Sequence, residues 1–207
     1  MRLPIRLPMK LHLLPNTLTL FRMLSVGPIV FLLLTGSYRS AFVVAFCAGI
    51  SDLLDGYLAR RFGWMTHFGG VLDPLADKLM LVSTSVTLAW LGHLPIWLVA
   101  LVVFRDLLII CGAWYFHYQV ARITTATPSP LSKWNTLLQI MLVVCVMLSL
   151  AFRGFDGPWI NWLILIVAIT TVLSGAQYVL VWTTKAIRQR RALEQSESTS
   201  KENSDEE

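Results

Sequence analysis

Charge is scarce in this chain, and negative charge is scarcer still. Only 14% of its 207 residues are charged, and 12 are Asp or Glu. Six of these (Glu194, Glu197, Glu202, Asp205, Glu206 and Glu207) stand in the C-terminal tail, which leaves six for the first 187 residues. With 56% hydrophobic residues and a mean hydropathy of +0.64, the chain has more apolar surface than a soluble domain of this size can hide. Water is therefore not its solvent. Cysteine is also sparse. Cys47, Cys111 and Cys145 are too few for a disulfide framework, show no zinc spacing, and each sits in an apolar run, so they read as small buried packing residues. Metal-ligand spacing is lacking among His12, His67, His93 and His117, which fall near span ends or in loops. No internal repeat is visible, so an inverted-repeat transporter has no support from self-similarity. A nucleic-acid reading needs basic residues interleaved with aromatics on a solvated face, and none occurs.

Long apolar runs fill the rest. Six can be counted, at about 17–35, 40–59, 70–91, 94–117, 133–152 and 159–184. Each has about the 20 residues that an α-helix needs to cross a bilayer, twice the length of a transmembrane strand. The breaks carry turn or charge signals: Gly36-Ser37, Arg60-Arg61 to Gly69, Gly92 to Pro95, Thr127-Pro128-Ser129-Pro130 and Gly154 to Pro158. The expected fold is all-α, a polytopic membrane bundle of six transmembrane helices. The basic N-terminus (Arg2, Arg6, Lys10) leads into an apolar run without a small-residue cleavage pattern, as in a retained first span. With six spans both termini share a side. Eleven Lys and Arg fall on that side (Arg2, Arg6, Lys10, Arg60, Arg61, Arg122, Lys133, Lys185, Arg188, Arg190, Arg191) against Arg39 and Arg153 opposite. The positive-inside rule then places both termini in the cytoplasm. Residues 1–187 are expected to form the membrane domain. Residues 188–207 are expected to be a charged, disordered cytoplasmic tail, preceded at most by a short continuation of helix six. The eight Trp read as belt and packing residues.

Four of the six remaining acids fall within the 26 residues from Asp52 to Asp77. Carboxylates among membrane spans are costly and mark function by default. Asp52 and Asp55 are three apart and share a face of helix two, which Gly56 and Ala59 continue; Asp73 and Asp77 are four apart on helix three. The short connection makes the two helices antiparallel neighbours, so the four acids can meet at one depth in the cytoplasmic leaflet. Four such charges require something positive among them. Oxygen-only ligands favour hard cations such as Mg2+ or Mn2+, and four carboxylates suit two ions, an arrangement that clamps in-line phosphoryl displacement. Gly56 and Gly69 offer bare backbone to a planar ligand, and Arg60 is placed to neutralise phosphate oxygens. Plainer readings stand beside these. Acid pairs also line cation or proton pathways, as in a divalent-cation transporter; small residues pack helices; Arg60-Arg61 anchor interfaces. Pro74 either lies in the first turn of helix three with Asp73 as cap, or kinks that helix.

The whole string is D-x2-D-G-x2-A-R-x8-G-x3-D-x3-D, from Asp52 through Asp55, Gly56, Ala59, Arg60, Gly69 and Asp73 to Asp77. It resembles the signature of the CDP-alcohol phosphotransferases, membrane enzymes of phospholipid synthesis. The resemblance extends over most of 15–184, including the opening Pro15-Asn16-Thr17-Leu18-Thr19-Leu20-Phe21-Arg22. It implies a two-metal site on Asp52, Asp55, Asp73 and Asp77, with Asp77 as general base on the acceptor hydroxyl. It also implies a CDP site at Gly56, Ala59, Arg60 and Gly69, CMP as leaving group, CDP-diacylglycerol as donor, and a homodimer.

The same resemblance bears on the acceptor. Arg105-Asp106 lies in span four, and Ser132-Lys133-Trp134-Asn135-Thr136-x2-Gln139 opens span five. The phosphatidylglycerophosphate synthases of the family resemble this region but read Arg-Glu with a further Arg eight residues on, and Lys-x-Lys-Thr-x2-Gln. Ala113 and Asn135 stand where those two extra cations would be. Glycerol 3-phosphate, with close to two negative charges, would want them; a phosphodiester with one charge needs fewer. The form found here is similar to the CMP-forming cardiolipin synthases, so the expected acceptor is phosphatidylglycerol, with glycerol 3-phosphate as the alternative. The residues expected to hold it are Arg105, Lys133 and Asn135. Membrane prenyltransferases also use aspartate pairs on a diphosphate, but they resemble nine-span bundles and lack the Gly and Ala-Arg positions. The site is expected to face the cytoplasm, in a bacterial inner membrane.

Overall fold

A computed structural model describes residues 14–62, 69–119, 130–152 and 157–205. The expectations for Arg2, Arg6, Lys10, His12, His67, Arg122, Arg153 and Asp156 lie outside the described residues. Among those described there are six α-helices and no strand: α1 (Leu14–Leu34), α2 (Tyr38–Phe62), α3 (Gly69–Trp90), α4 (Ile96–Gln119), α5 (Pro130–Ala151) and α6 (Trp159–Asp205). The first five run 21, 25, 22, 24 and 22 residues. At 1.5 Å per residue each is about 30–38 Å long, which matches the hydrocarbon thickness of a bilayer. Pro130–Ala151 and Trp159–Val181 are long and apolar enough to cross a membrane.

Two of the breaks anticipated in the sequence are helix caps built on glycine. Gly36 and Gly92 have φ of 74° and 79°. At the first, Ser37 N–H donates to Leu32 O (2.9 Å) and Gly36 N–H to Leu33 O (3.1 Å); at the second, His93 N–H donates to Leu88 O (2.9 Å) and Gly92 N–H to Ala89 O (3.0 Å). Both are Schellman motifs, which satisfy the last carbonyls of a helix and need a left-handed residue that glycine adopts without a Cβ clash.

Solvation is inverted relative to a soluble protein. Phe31, Phe104 and Trp162 are 66%, 66% and 67% exposed, while Arg22, Ser25, Thr87, Arg105, Asp106, Asn135, Gln139, Thr171 and Ser174 are buried. Apolar side chains outside and polar groups inside are what lipid as a solvent selects. Trp90, Trp97, Trp134, Trp159 and Trp162 are exposed and lie within a few residues of a helix end, as belt residues do.

The chain divides into two compact units. One comprises Met1–Val99 and Ile140–Ile160; the other comprises Ala100–Gln139 and Asn161–Glu207. In the first, α1 packs on both α2 and α3. Ile29 and Leu33 of α1, Ala41 and Ala48 of α2, and Ala76 and Leu88 of α3 are fully buried there. The three alanines allow close helix approach. Arg39 ties the start of α2 to the end of α5: its Nε–H donates to Ala151 O (2.8 Å), and its guanidinium lies 5.8 Å from the Phe152 ring centroid. A cation on the last carbonyls of a helix is favoured by its dipole. The second unit is held by hydrogen bonds among α4, α5 and α6.

Three expectations need correction. The tail is helical to Asp205, because α6 runs 47 residues without a break. Its Glu, Gln, Lys, Arg and Ala are good helix formers, and Arg190/Glu194 and Glu197/Lys201 are spaced i,i+4. Asp73 does not cap α3, since that helix begins at Gly69 and Pro74 lies in its second turn. Cys47 and Cys111 are exposed and Cys145 half-buried. A thiol facing lipid is as dry as one in a protein core, so an apolar run does not distinguish the two.

Candidate active site

The aspartate string occupies the last turns of α2 and the first turns of α3. Asp52, Asp55, Gly56, Ala59 and Arg60 are in α2; Gly69 opens α3, with Asp73 and Asp77 following. The i,i+3 and i,i+4 spacings hold on continuous helix, so each pair shares one face. The side chains of residues 52–74 lie outside the described residues. Asp77 is described. Its carboxylate, half exposed, forms an ion pair through Oδ1 with Nη1 of Arg22, whose side chain is 2% exposed.

Sequence reasoning placed Arg22 in the opening of helix one but gave it no part in the site. Arg22 is the one charged residue of α1. A lone cation in an apolar helix needs a partner inside the protein, and that cost was the available signal. Packing of α1 on α3 supplies Asp77. Carboxylate oxygens as a donor type suit hard divalent cations. Of the four aspartates, Asp77 is the one whose side chain is described, and Arg22 is its cationic partner.

The second unit holds a polar ladder. Arg105, 4% exposed, donates from Nη1 to Asp106 Oδ1 (2.8 Å), and from Nη2 to Ser132 Oγ (2.5 Å) and Ser174 Oγ (2.6 Å). Tyr178 lies beside it, its ring centroid 6.0 Å from the guanidinium carbon. One turn along α5, Asn135 Oδ1 accepts from Thr170 Oγ1 (2.8 Å) and Thr171 Oγ1 (3.0 Å). Gln139 follows one turn further on, also buried. Ser132, Asn135, Thr136 and Gln139 form one stripe of α5, and Thr170, Thr171, Ser174 and Tyr178 one stripe of α6.

Of the residues expected to hold the acceptor, Arg105 and Asn135 come together in this ladder, and Lys133 projects as an exposed side chain. Arg105 Nε is buried without a hydrogen-bond partner. Ser132, Thr170, Thr171 and Ser174 were not foreseen as partners. Isolated hydroxyls in apolar helices are too common to single out before the packing is known. Asn135 Nδ2 and both amide atoms of Gln139 are buried without a partner. Each such atom costs about 1–3 kcal/mol when nothing satisfies it.

The model of CDP-alcohol phosphatidyltransferases matches residues 12–189. The chain belongs to that family. The matched range takes in both units' polar clusters and all eight positions of the aspartate string. Similar proteins include a cardiolipin synthase (CMP-forming)/mitochondrial hydrolase fusion protein of Schizosaccharomyces pombe, 33% identical over 86% of this chain and 32% of the relative. A chloroplastic CDP-diacylglycerol–glycerol-3-phosphate 3-phosphatidyltransferase of Oryza sativa is 35% identical over 86% of this chain and 59% of its own. A probable phosphatidylglycerophosphate synthase of Mycobacterium tuberculosis is 34% identical over 80% and 79%. The chain thus spans about a third of the yeast relative and under two thirds of the rice one. These relatives differ in the product or alcohol that their names give.

Proposed function

We propose that this chain transfers the phosphatidyl group of CDP-diacylglycerol to an alcohol, releasing CMP, and that the preferred alcohol is phosphatidylglycerol, giving cardiolipin. The observation that carries the reading is the eight-position aspartate string, five positions on the last turns of α2 and three on the first turns of α3, inside a family match over most of the chain. Asp52, Asp55, Asp73 and Asp77 would hold two divalent cations, Mg2+ or Mn2+, which when bound screen the diphosphate and stabilise the departing CMP.

The chain's own residues supply the rest. Asp77 takes the proton of the acceptor hydroxyl as its oxygen bonds to the lipid-bearing phosphorus, and the bond from that phosphorus to the CMP oxygen breaks. Arg22 orients the Asp77 carboxylate from α1 through their ion pair. Gly56, Ala59 and Gly69 lie against the cytidine, and Arg60 neutralises phosphate oxygens. Arg105 and Lys133 hold the acceptor's phosphate, with Asn135 two residues past Lys133. Asp106 offsets the Arg105 charge and the buried position next along the ladder is a neutral amide, so Lys133 leaves one net positive charge, which suits a phosphodiester. Glycerol 3-phosphate is the second reading, favoured by the rice relative, whose name specifies that alcohol.

All six helices cross the bilayer in this reading, with both termini and the aspartates on the cytoplasmic side of a bacterial inner membrane. Residues 1–187 form the membrane domain, 188–205 form a charged extension of α6, and two copies assemble as a dimer. Turnover by the purified protein in mixed micelles, with CDP-diacylglycerol and each alcohol in parallel, tests the acceptor. Phosphatidylglycerol should be used faster; faster use of glycerol 3-phosphate reverses the assignment.

A further inference from the structure

We infer that Asn135 and Gln139 form a neutral, hydroxyl-binding subsite in the second unit, one that takes an uncharged polyol portion of the alcohol substrate beside the anion-binding guanidinium of Arg105. This rests on the proposed transferase reading and adds a ligand contact to it. Asn135 and Gln139 are 0% and 4% exposed and lie i,i+4 on α5, so their amides occupy one face at successive turns. Three of their four amide polar atoms, Asn135 Nδ2 and Gln139 Oε1 and Nε2, have no protein partner.

The fourth atom fixes the arrangement. Asn135 Oδ1 is held by Thr170 and Thr171 of α6. Whichever way the Asn135 amide is turned, one of its polar atoms remains to be satisfied. Gln139 offers a donor and an acceptor together. A hydroxyl, which both donates and accepts, matches that set; a cation would leave the N–H groups unsatisfied, and an anion the carbonyl.

Position along α5 gives the subsite its orientation. Ser132, bonded to Arg105, is one turn before Asn135 and two before Gln139. The stripe from Ser132 to Gln139 is about 10 Å of helix. It therefore presents a charged donor at one end and neutral amides at the other. A phosphate next to a short polyol has the same order of groups. The source of the hydroxyl is either that substrate or ordered water, and the two are separable.

Gln139→Leu removes both amide atoms at similar volume, and Gln139→Met does the same with an unbranched chain should the leucine variant fail to fold. Initial rates of CMP release are measured at varied acceptor, using whichever alcohol the wild type turns over, together with melting temperatures with and without that alcohol. A substrate subsite predicts an apparent acceptor KM raised about tenfold or more, an unchanged KM for CDP-diacylglycerol, and a smaller melting shift on adding acceptor. An acceptor KM within about twofold of wild type, with a raised melting temperature, means that the amides held only water and overturns the inference. Absence of CMP release by the wild type with any alcohol overturns the transferase reading instead. The subsite is then judged by the melting shift alone: phosphatidylglycerol or glycerol 3-phosphate stabilising wild type but not the variant supports it, and equal shifts refute it.

Discussion

Replacing Arg105 and Asp106 singly and together is the most informative perturbation of the second unit. Their side chains are 5% and 7% exposed and joined at 2.8 Å, so solvent screens the pair little. Arg105→Met takes the guanidinium from a buried carboxylate; Asp106→Leu takes the carboxylate from a buried guanidinium. Breaking such a pair from one side costs about 3–5 kcal/mol, because a buried charge survives its partner. Ser132 and Ser174 lose a charged donor in the first variant. Serines here can turn to their own helix, as Ser25, Ser51 and Ser85 do toward the carbonyl four residues back at 2.7–2.8 Å, so most of that loss is recovered. The double variant leaves neither charge and should fall within about 1–2 kcal/mol of wild type. The predicted coupling is therefore at least about 3 kcal/mol, read by equilibrium unfolding in mixed micelles through tryptophan fluorescence. Additive single effects would refute the claim that the two charges are buried at each other's expense. The double variant also separates fold from function: it should fold, yet bind the anionic acceptor at least about tenfold more weakly.

Other consequences are simpler to check. Gly92→Ala puts a Cβ on a residue at φ 79° with nothing within 4 Å of it, so its cost is backbone strain alone, about 1–2 kcal/mol, visible as a lowered melting temperature with unchanged turnover. Arg22→Gln, which removes the cation bonded to Asp77, should lower kcat for CMP release by about tenfold or more; Arg22→Lys should recover part of it, and equal rates for all three proteins would remove Arg22 from the site. Chelating divalent ions should stop turnover and lower thermal stability, since a ligand at about 100 times its Kd contributes about 2.7 kcal/mol; a melting temperature indifferent to chelator would count against the two-cation site.

Much of the helical layout was legible because lipid demands long apolar runs and turns need recognisable residues. Gly36 and Gly92 ended their helices where expected, and Pro95 preceded α4. The aspartates were legible for a related reason: in a chain with so few acids, four at helical spacing stand out. Partner choice was not legible. Nothing in the spacing of α1 says that Arg22 meets Asp77, fifty-five residues away. Arg105 similarly gives no hint that it will reach a serine on α5 and another on α6, because those contacts depend on how the helices rotate about their axes. The attachment of Asn135 to Thr170 and Thr171 was not legible either. The tail misled because its polarity suggested coil, whereas helix propensity depends on side-chain entropy and charge spacing more than on polarity.

The central claim is that the Asp52–Asp77 cluster performs phosphatidyl transfer. It is tested most directly by CMP release from CDP-diacylglycerol by the purified protein, comparing wild type with Asp77→Asn, alongside divalent-ion flux in sealed vesicles. The account predicts stoichiometric CMP and phospholipid product from wild type, none from Asp77→Asn, and no flux from either. Ion flux that Asp77→Asn abolishes, without CMP release by the wild type, would contradict it.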